Sequence, residues 1–326
     1  MSNSSVLILM TTYNGEKYLR NQLDSLLNQT YTNFHLVIQD DCSTDRTMTI
    51  LKEYQNKDNR IEILVHYAER HGAYYNFIDL TNIFKNRELY DYYMFCDQDD
   101  IWDLNKIETF VSLMEDKDKA RCVLVYADQR LIDENNKVIA ESLRELNGDA
   151  YVSKYSVFFC PGMNGCNMIM NRTNFLAVPY IDTDRNIISI IAHDGVYARF
   201  AAVLGNVYYY KNIVTMSYRR HQDNVTLKAN YGFKISRIAK RALDLECLSR
   251  DHARLYSQSL FSIGLLKEID MEYNIDIIEL ENAIRNGGIK GLMYMYRYKI
   301  RLGKRIKDIS HQLVLLLSKY KKYLIA

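Results

Sequence analysis

Apolar residues fall in short, dense runs separated by polar turns. Val6 to Thr11, Phe34 to Gln39, Ile61 to Val65 and Tyr92 to Cys96 each have the length of a buried strand. Between them, Tyr18, Leu19, Leu23, Leu26 and Leu27 recur at helical spacing. A helix is predicted to run to about Gln55 and another from Tyr74 to Phe84. Strands alternating with helices predict a parallel α/β sheet. Further along, the pattern predicts a helix from Trp102 to about Glu115, a strand at Cys122 to Ala127 and a hairpin at Gln129 to Ile139. A loop then leads into a strand at Phe158 to Asn171, followed by a helix at Asp194 to Leu204 and strands at Val207 to Tyr210 and Val214 to Tyr218. From about Tyr231 the pattern is helical to the end, which divides the chain into an α/β domain over 1–228 and a helical region over 229–326.

Sheets of this kind bind ligands beyond the carboxyl ends of their strands. The segments placed there are Thr11-Thr12-Tyr13-Asn14, Asp40-Asp41 and Asp97-Gln98-Asp99-Asp100, and all three are expected to line one cleft.

Composition narrows the class. A chain of 326 residues, 48% hydrophobic and 25% charged, buries a sizeable core and is not disordered. Six cysteines, at positions 42, 96, 122, 160, 166 and 247, show no CxxC or zinc-finger spacing and read as reduced thiols. The first residues lack the charged start and long apolar centre of a signal peptide, and no apolar run reaches the roughly 20 residues that span a bilayer. The expected location is therefore the cytoplasm.

The acidic run Asp97-Gln98-Asp99-Asp100 is the sharpest chemical feature. Like charges 4 Å apart repel by about 4 kcal/mol at an effective dielectric of 20, so a counter-charge is expected there. A hard divalent cation, Mn²⁺ or Mg²⁺, shared with a diphosphate fits that requirement. By itself the run reads equally as a solvated loop capping the next helix. Asp41 offers a carboxylate acceptor for a base N–H and Tyr13 a flat face for stacking; helix capping and core packing explain the two as well. No glycine-rich phosphate loop is present, which disfavours a nucleotidyltransferase.

Four segments in order carry a resemblance. They are Leu7-Ile-Leu-Met-Thr-Thr-Tyr-Asn-Gly15, Gln22-Leu-Asp-Ser-Leu-Leu-Asn-Gln-Thr30, Val37-Ile-Gln-Asp-Asp-Cys-Ser-Thr-Asp45 and Phe95-Cys-Asp-Gln-Asp-Asp-Ile-Trp102. Together they resemble glycosyltransferase family 2, inverting enzymes of the GT-A fold, over roughly Val6 to Leu227. The Asp-Gln-Asp-Asp-Ile-Trp form, with His193-Asp194 and Tyr218-Arg-Arg-His-Gln-Asp-Asn224 downstream, is most similar to the rhamnosyltransferase branch that builds bacterial surface polysaccharides.

The resemblance implies a nucleotide-diphosphate sugar donor, dTDP-L-rhamnose, and a saccharide or lipid-linked acceptor, with a UDP-hexose donor or a non-catalytic nucleotide-sugar binder as alternatives. It implies that Tyr13 and Asp41 contact a pyrimidine with Thr11 beside them, that Asp97 faces the ribose, and that Asp99 holds the metal. Asp194, at the start of a helix, matches the general base, and Gly162, Asn164 and Gly165 match part of the acceptor wall. Arg219, Arg220 and His221 are candidate contacts to the diphosphate or metal, since guanidinium pairs well with phosphate oxygens. No membrane spans and no Gln-x-x-Arg-Trp motif occur, which disfavours a processive synthase.

Charge is uneven along the chain. From Arg285 onward eleven basic residues stand against one acid, Asp308, a net +10; the whole chain is +2, so residues 1–284 carry −8. With interleaved Leu, Met, Ile and Tyr, this segment suits an anionic membrane surface, which would place the protein on the inner face of the cytoplasmic membrane. A helix packed on the α/β domain fits the same residues. No recognition motif for nucleic acid accompanies the basic residues.

Overall fold

Strand β1 (Val6–Thr12) sends alternate side chains into two different cores: Leu7 and Leu9 into one, Val6, Ile8 and Met10 into the other. Covered on both faces, such a strand has no polar side to show, which is why its sequence reads as one apolar run. In the computed structural model, which describes residues 3–67, 69–87, 89–147, 154–160, 163–222, 224, 244–271, 274–301 and 305–325, the first half of the chain follows the predicted alternation. Helix α1 (Leu19–Leu27), β2 (Phe34–Asp40), α2 (Thr47–Gln55), β3 (Ile61–Val65), α3 (Ala73–Phe84) and β4 (Tyr92–Cys96) follow in order. Strands β3, β2, β1 and β4 are parallel neighbours.

The short strand β5 (Ile101–Trp102) leads into α4 (Lys106–Glu115), β6 (Cys122–Ile132), β7 (Val138–Ala140), α5 (Leu143–Asn147), β8 (Met168–Asn171), α6 (Arg172–Ala177), α7 (His193–Leu204) and β9 (Gly205–Arg219). The sheet order is β3-β2-β1-β4-β8-β6-β9-β5, with β7 as the hairpin partner of β6. Strand β8 runs antiparallel to both β4 and β6, so the sheet is mixed beyond β4. The two strands expected at 207–210 and 214–218 are one strand. Its register against β6 jumps from Ala127↔Tyr210 to Asp128↔Val214, so polar Lys211 and Asn212 sit in a bulge that interrupts the apolar pattern.

Helices α1, α2 and α4 pack on one face through Leu19, Leu23, Leu26, Ile50, Leu51, Ile107, Phe110 and Met114. On the other face lie α3 and α7, through Phe77, Leu80, Phe84, Val196 and Phe200. The C-terminal helices α8 (Leu245–Leu266), α9 (Ile275–Asn286), α10 (Gly288–Arg297) and α11 (Arg305–Leu317) join this second core through Tyr256, Leu265, Ile284, Met295 and Leu315. Asp244 caps α8 by accepting from the N–H of Glu246 and Cys247, and Asn274 caps α9 by accepting from Asp276 and Ile277. Gly287, at φ +58°, turns α9 into α10 where an added Cβ would stand 2.8 Å from the Leu315 carbonyl oxygen. The helical C-terminal region is thus an integral part of the core; the boundary expected at 228/229 and the helix start near Tyr231 lie outside the described residues.

Candidate active site

The carboxyl ends of β1, β2 and β4 are tied together by side chains from the loops that follow them. Thr12 Oγ1 donates to Asp40 Oδ1 at 2.8 Å, and the Asp41 N–H donates to the Thr12 carbonyl at 2.8 Å. Gln98 grips the backbone of Tyr13 twice, accepting from its N–H at 2.9 Å and donating to its carbonyl at 3.0 Å. Gly15 makes room for that grip, since a Cβ there would lie 2.4 Å from Gln98 Oε1. Asn14, at φ +46°, completes the turn by accepting from the Thr44 N–H. The result is a preset position for Tyr13, whose side chain stays exposed, above the buried Thr11.

Asp41 is almost fully buried, and its carboxylate collects three donors. His66 Nδ1 and His71 Nδ1 each lie 2.7 Å from Oδ1, and the Gly72 N–H donates to Oδ2 at 2.7 Å. Burial acts to raise the Asp41 carboxyl, but the hydrogen bonds from His66, Gly72 and His71 outweigh it and hold the group below the usual range. The neighbouring Asp40 serves the loop instead, accepting from the Ser43 N–H and hydroxyl.

The β5–β9 pairing Ile101↔Ser217 carries the acidic run against the end of β9. Asp99 Oδ2 lies 2.6 Å from His221 Nε2 and accepts from Asn224 Nδ2 at 3.2 Å. Asn224 is itself fixed by accepting the His221 N–H at 2.7 Å. Arg219 is fully buried: Nε donates to the Asp99 carbonyl, Nη1 donates to the Asp133 carbonyl and to Asn136 Oδ1, and the guanidinium covers the Tyr18 ring. In this geometry it holds the backbone of Asp99. The Arg220 backbone N–H bonds to the Ile132 carbonyl.

Asp97 and Asp100 face inward with Cys166, their ligating atoms all within 4.8 Å of one another. Burial, then the charges of Asp99 and Asp194, push the Asp97 carboxyl up to about 7. Burial, then Asp99 and Asp97, push Asp100 well above the usual range. Besides Arg219, a second buried cation beside them is Lys106, donating to the Cys166 carbonyl at 2.7 Å and Asn167 Oδ1 at 3.1 Å. The donor set at Asp99 and His221, a carboxylate and an imidazole beside two further carboxyls under strain from like charge, fits a divalent cation of the Mn²⁺ or Mg²⁺ class.

Helix α7 opens at the cleft. Asp194 in its first turn accepts from the Gly195 N–H at 2.6 Å and from the Gly165 N–H at 2.9 Å. Burial raises the Asp194 carboxyl against these hydrogen bonds. Gly165 is required by proximity: a Cβ there would meet His193 Nε2 at 3.0 Å and Asp194 Cβ at 3.1 Å. His193 stacks on Phe77 with ring centres 3.8 Å apart, and burial pushes it down to about 3, so it stands neutral. Asn164 precedes Gly165 in the same loop, which borders Asp194; Gly162 lies outside the described residues.

The structure thus gathers Asp97, Asp99, Asp194 and His221 with the Asn164-Gly165 loop, and sets Tyr13 and Asp41 at the other end of the same strand edge. Sequence reasoning missed His66, His71, Gln98, Lys106 and Asn224 as parts of the assembly. Asn224 and Gln98 sat inside motifs already singled out, whereas nothing local marks His66, His71 or Lys106.

Comparison with known proteins agrees with this geometry. The sequence model described as Glycosyl transferase family 2 matches residues 7–174. A dTDP-rhamnosyl transferase, RfbG of Shigella flexneri, is 30% identical over 230 residues, which are 69% of this chain and 75% of that protein. Among solved structures, residues 1–349 of Staphylococcus aureus TarS in complex with UDP-GlcNAc align over 98% of this chain and 92% of that one, with a TM-score of 0.53 at 17% identity. The mannosyltransferase PcManGT from Pyrobaculum calidifontis, in complex with GDP-Man and Mn²⁺, aligns over 99% of this chain and 88% of that one, with a TM-score of 0.52 at 14% identity. These likenesses, with strand ends that present Asp41, Asp97 and Asp99 in the expected order, show that the chain belongs to glycosyl transferase family 2 and is a glycosyltransferase of the GT-A fold with a helical C-terminal region.

Proposed function

We propose that the protein transfers L-rhamnose from dTDP-L-rhamnose, with inversion, to a hydroxyl of a saccharide or lipid-linked saccharide in the assembly of a bacterial surface polysaccharide. The observation that carries this reading is the Asp194 carboxylate, aimed by two backbone N–H groups and sensed electrostatically by Asp97 across the cleft. The likeness to the Shigella rhamnosyl transferase favours the sugar.

In this mechanism Tyr13 stacks on the pyrimidine and Asp41 accepts its N3–H through an oxygen already oriented by His66, His71 and Gly72. Asp97 faces the ribose. Asp99 and His221 would hold a divalent cation, which would offset the charge that develops on the leaving diphosphate. Asp194 takes the proton from the acceptor hydroxyl as that oxygen attacks the anomeric carbon; one base suffices for a single displacement. Its raised affinity for a proton makes it a better acceptor than an ordinary surface carboxylate. Residues 1–228 carry this chemistry. Helices α8 to α11 complete its core and would present a basic, apolar-studded surface to an anionic membrane.

The test is donor hydrolysis with dTDP-L-rhamnose, UDP-glucose, UDP-galactose and UDP-N-acetylglucosamine, each with Mn²⁺, Mg²⁺ or chelator. Metal-dependent turnover of dTDP-L-rhamnose alone supports the proposal. Turnover of a UDP sugar keeps the mechanism and discards rhamnose, and silence with every donor points to a nucleotide-sugar-binding protein without catalysis.

A further inference from the structure

Asp41, His66 and His71 have a second chemical capacity besides orienting the base. Their ligating atoms all lie within 4.8 Å of one another, and both imidazole Nδ1 atoms stand 2.7 Å from the same carboxylate oxygen. The two rings meet edge to face, with an interplanar angle of 83° and centres 6.0 Å apart, so their nitrogens converge from different directions. We propose that Asp41 Oδ1, His66 Nδ1 and His71 Nδ1 form a transition-metal site, suited to Zn²⁺, beside the nucleobase position and separate from the cation site at Asp99.

The donor set argues for the metal class. Two imidazoles and one carboxylate suit Zn²⁺, whereas carboxylates with phosphate oxygens suit Mg²⁺ and Mn²⁺. With metal–ligand bonds of roughly 2.0–2.2 Å, ligands on a tetrahedral ion stand roughly 3.3–3.5 Å apart. Each nitrogen, now 2.7 Å from Oδ1, therefore withdraws by roughly 0.6–0.8 Å to admit the ion, exchanging its hydrogen bond for coordination. His71, half-exposed on a loop, has the freedom to move and leaves an open path and a fourth position for water.

A negative charge also lies behind one ligand. His66 is buried, and its second ring nitrogen, Nε2, faces Asp79 Oδ2 at 3.9 Å. Asp79 is held by Gln39 Nε2 at 2.9 Å. At that distance Asp79 places a negative charge behind the ring without a hydrogen bond to it, and metal binding displaces the Nδ1 proton that now bonds to Asp41. Ligand identity, convergence and an entry path are requirements of a metal site, and these three residues meet them.

Zinc here would occupy the carboxylate that the pyrimidine N3–H needs, so ion and donor compete. That consequence rests on the reading of Asp41 as the base contact; metal binding itself does not.

The experiment titrates the full chain with ZnCl₂ by calorimetry in excess Mg²⁺, and repeats it with Co²⁺ read by visible absorption. Expected are one tight site per chain, weakened roughly tenfold or more by His71→Ala, and unchanged in Asp99→Asn and in Cys42→Ser, which removes the exposed thiol nearby. Absence of binding, binding retained in His71→Ala, or loss in Asp99→Asn or Cys42→Ser overturns the proposal. Adding dTDP to the zinc-loaded protein should release the ion; zinc that depends on His71 yet ignores dTDP keeps the metal site and counts against Asp41 as the base contact.

Discussion

His221 Nε2 lies 2.6 Å from Asp99 Oδ2, across 122 positions of sequence, and Asn224 donates to the same carboxylate oxygen. The contact joins the loop after β4 to the loop after β9, and it exists because β5 pairs with the end of β9. Replacing His221 with Ala removes one of the two groups assigned to the cation. The apparent affinity for Mn²⁺ should fall by about 10–100-fold, the range seen when support at a metal site is lost. Calorimetry of Mn²⁺ with dTDP present reads this directly, and unchanged affinity removes His221 from the site.

As the proposed base, Asp194 should set the pH dependence of turnover. A base works when deprotonated, and burial raises this carboxyl, so the acid limb of the kcat profile should lie above the range of an ordinary aspartate. Linkage has the matching sign. A carboxyl whose folded pKa exceeds its unfolded one lowers stability as pH rises through the window between the two, and Asp194→Asn abolishes that slope. The same variant should lose about 10²–10⁴ in kcat while still binding donor. Activity near that of the native protein would assign the base elsewhere.

Two glycines separate the two halves of the site. Gly15→Ala drives a Cβ into Gln98 Oε1 and should release Tyr13, weakening donor affinity more than kcat. Gly165→Ala drives a Cβ into His193 and Asp194 and should lower kcat more than donor affinity. Steady-state kinetics on both variants checks the split. Parallel losses in both parameters for both variants would show that the contacts only stabilise the fold.

Lys106 is, with Arg219, a buried counter-charge of the acidic run. Lys106→Met leaves the Cys166 carbonyl and Asn167 Oδ1 without their donor and should destabilise the protein by about 1–3 kcal/mol, the range for leaving buried polar groups unpaired. Urea denaturation measures the change. No loss of stability would mean that the acceptors find other partners.

On the C-terminal helices, Ile289, Met293 and Tyr296 are exposed along α10, as are Ile309, Leu313, Leu316 and Leu317 along α11. Lys290, Lys319 and Lys321 are exposed in the same region, and no helix among the described residues is long and apolar enough to cross a membrane. Attraction to anionic lipid amounts to about 1 kcal/mol per basic residue at the surface. The protein should therefore float with vesicles containing phosphatidylglycerol and not with neutral ones, and Lys319→Glu with Lys321→Glu should reduce recovery. Equal recovery on both vesicle types counts against a charge-led contact.

The sequence by itself determined the parallel half of the sheet and the order of the motifs at its edge. A strand buried on both faces must be apolar throughout, and a strand end facing ligand must be polar, so Leu9 and Asp41, or Phe95 and Asp97, announce their positions locally. Only the tertiary structure decided the rest. Lys211 and Asn212 made one bulged strand look like two, because a bulge relaxes the demand for alternation at that point. His66 and His71 reach Asp41, Lys106 reaches beneath Cys166, and Arg219 reaches the Asp99 backbone; each is a long-range contact between residues whose neighbours in sequence say nothing about it. Local pattern fixes which surfaces are apolar, but the partner of a buried charge is chosen by how strands and loops pack, since the need to satisfy that charge carries no fixed spacing along the chain.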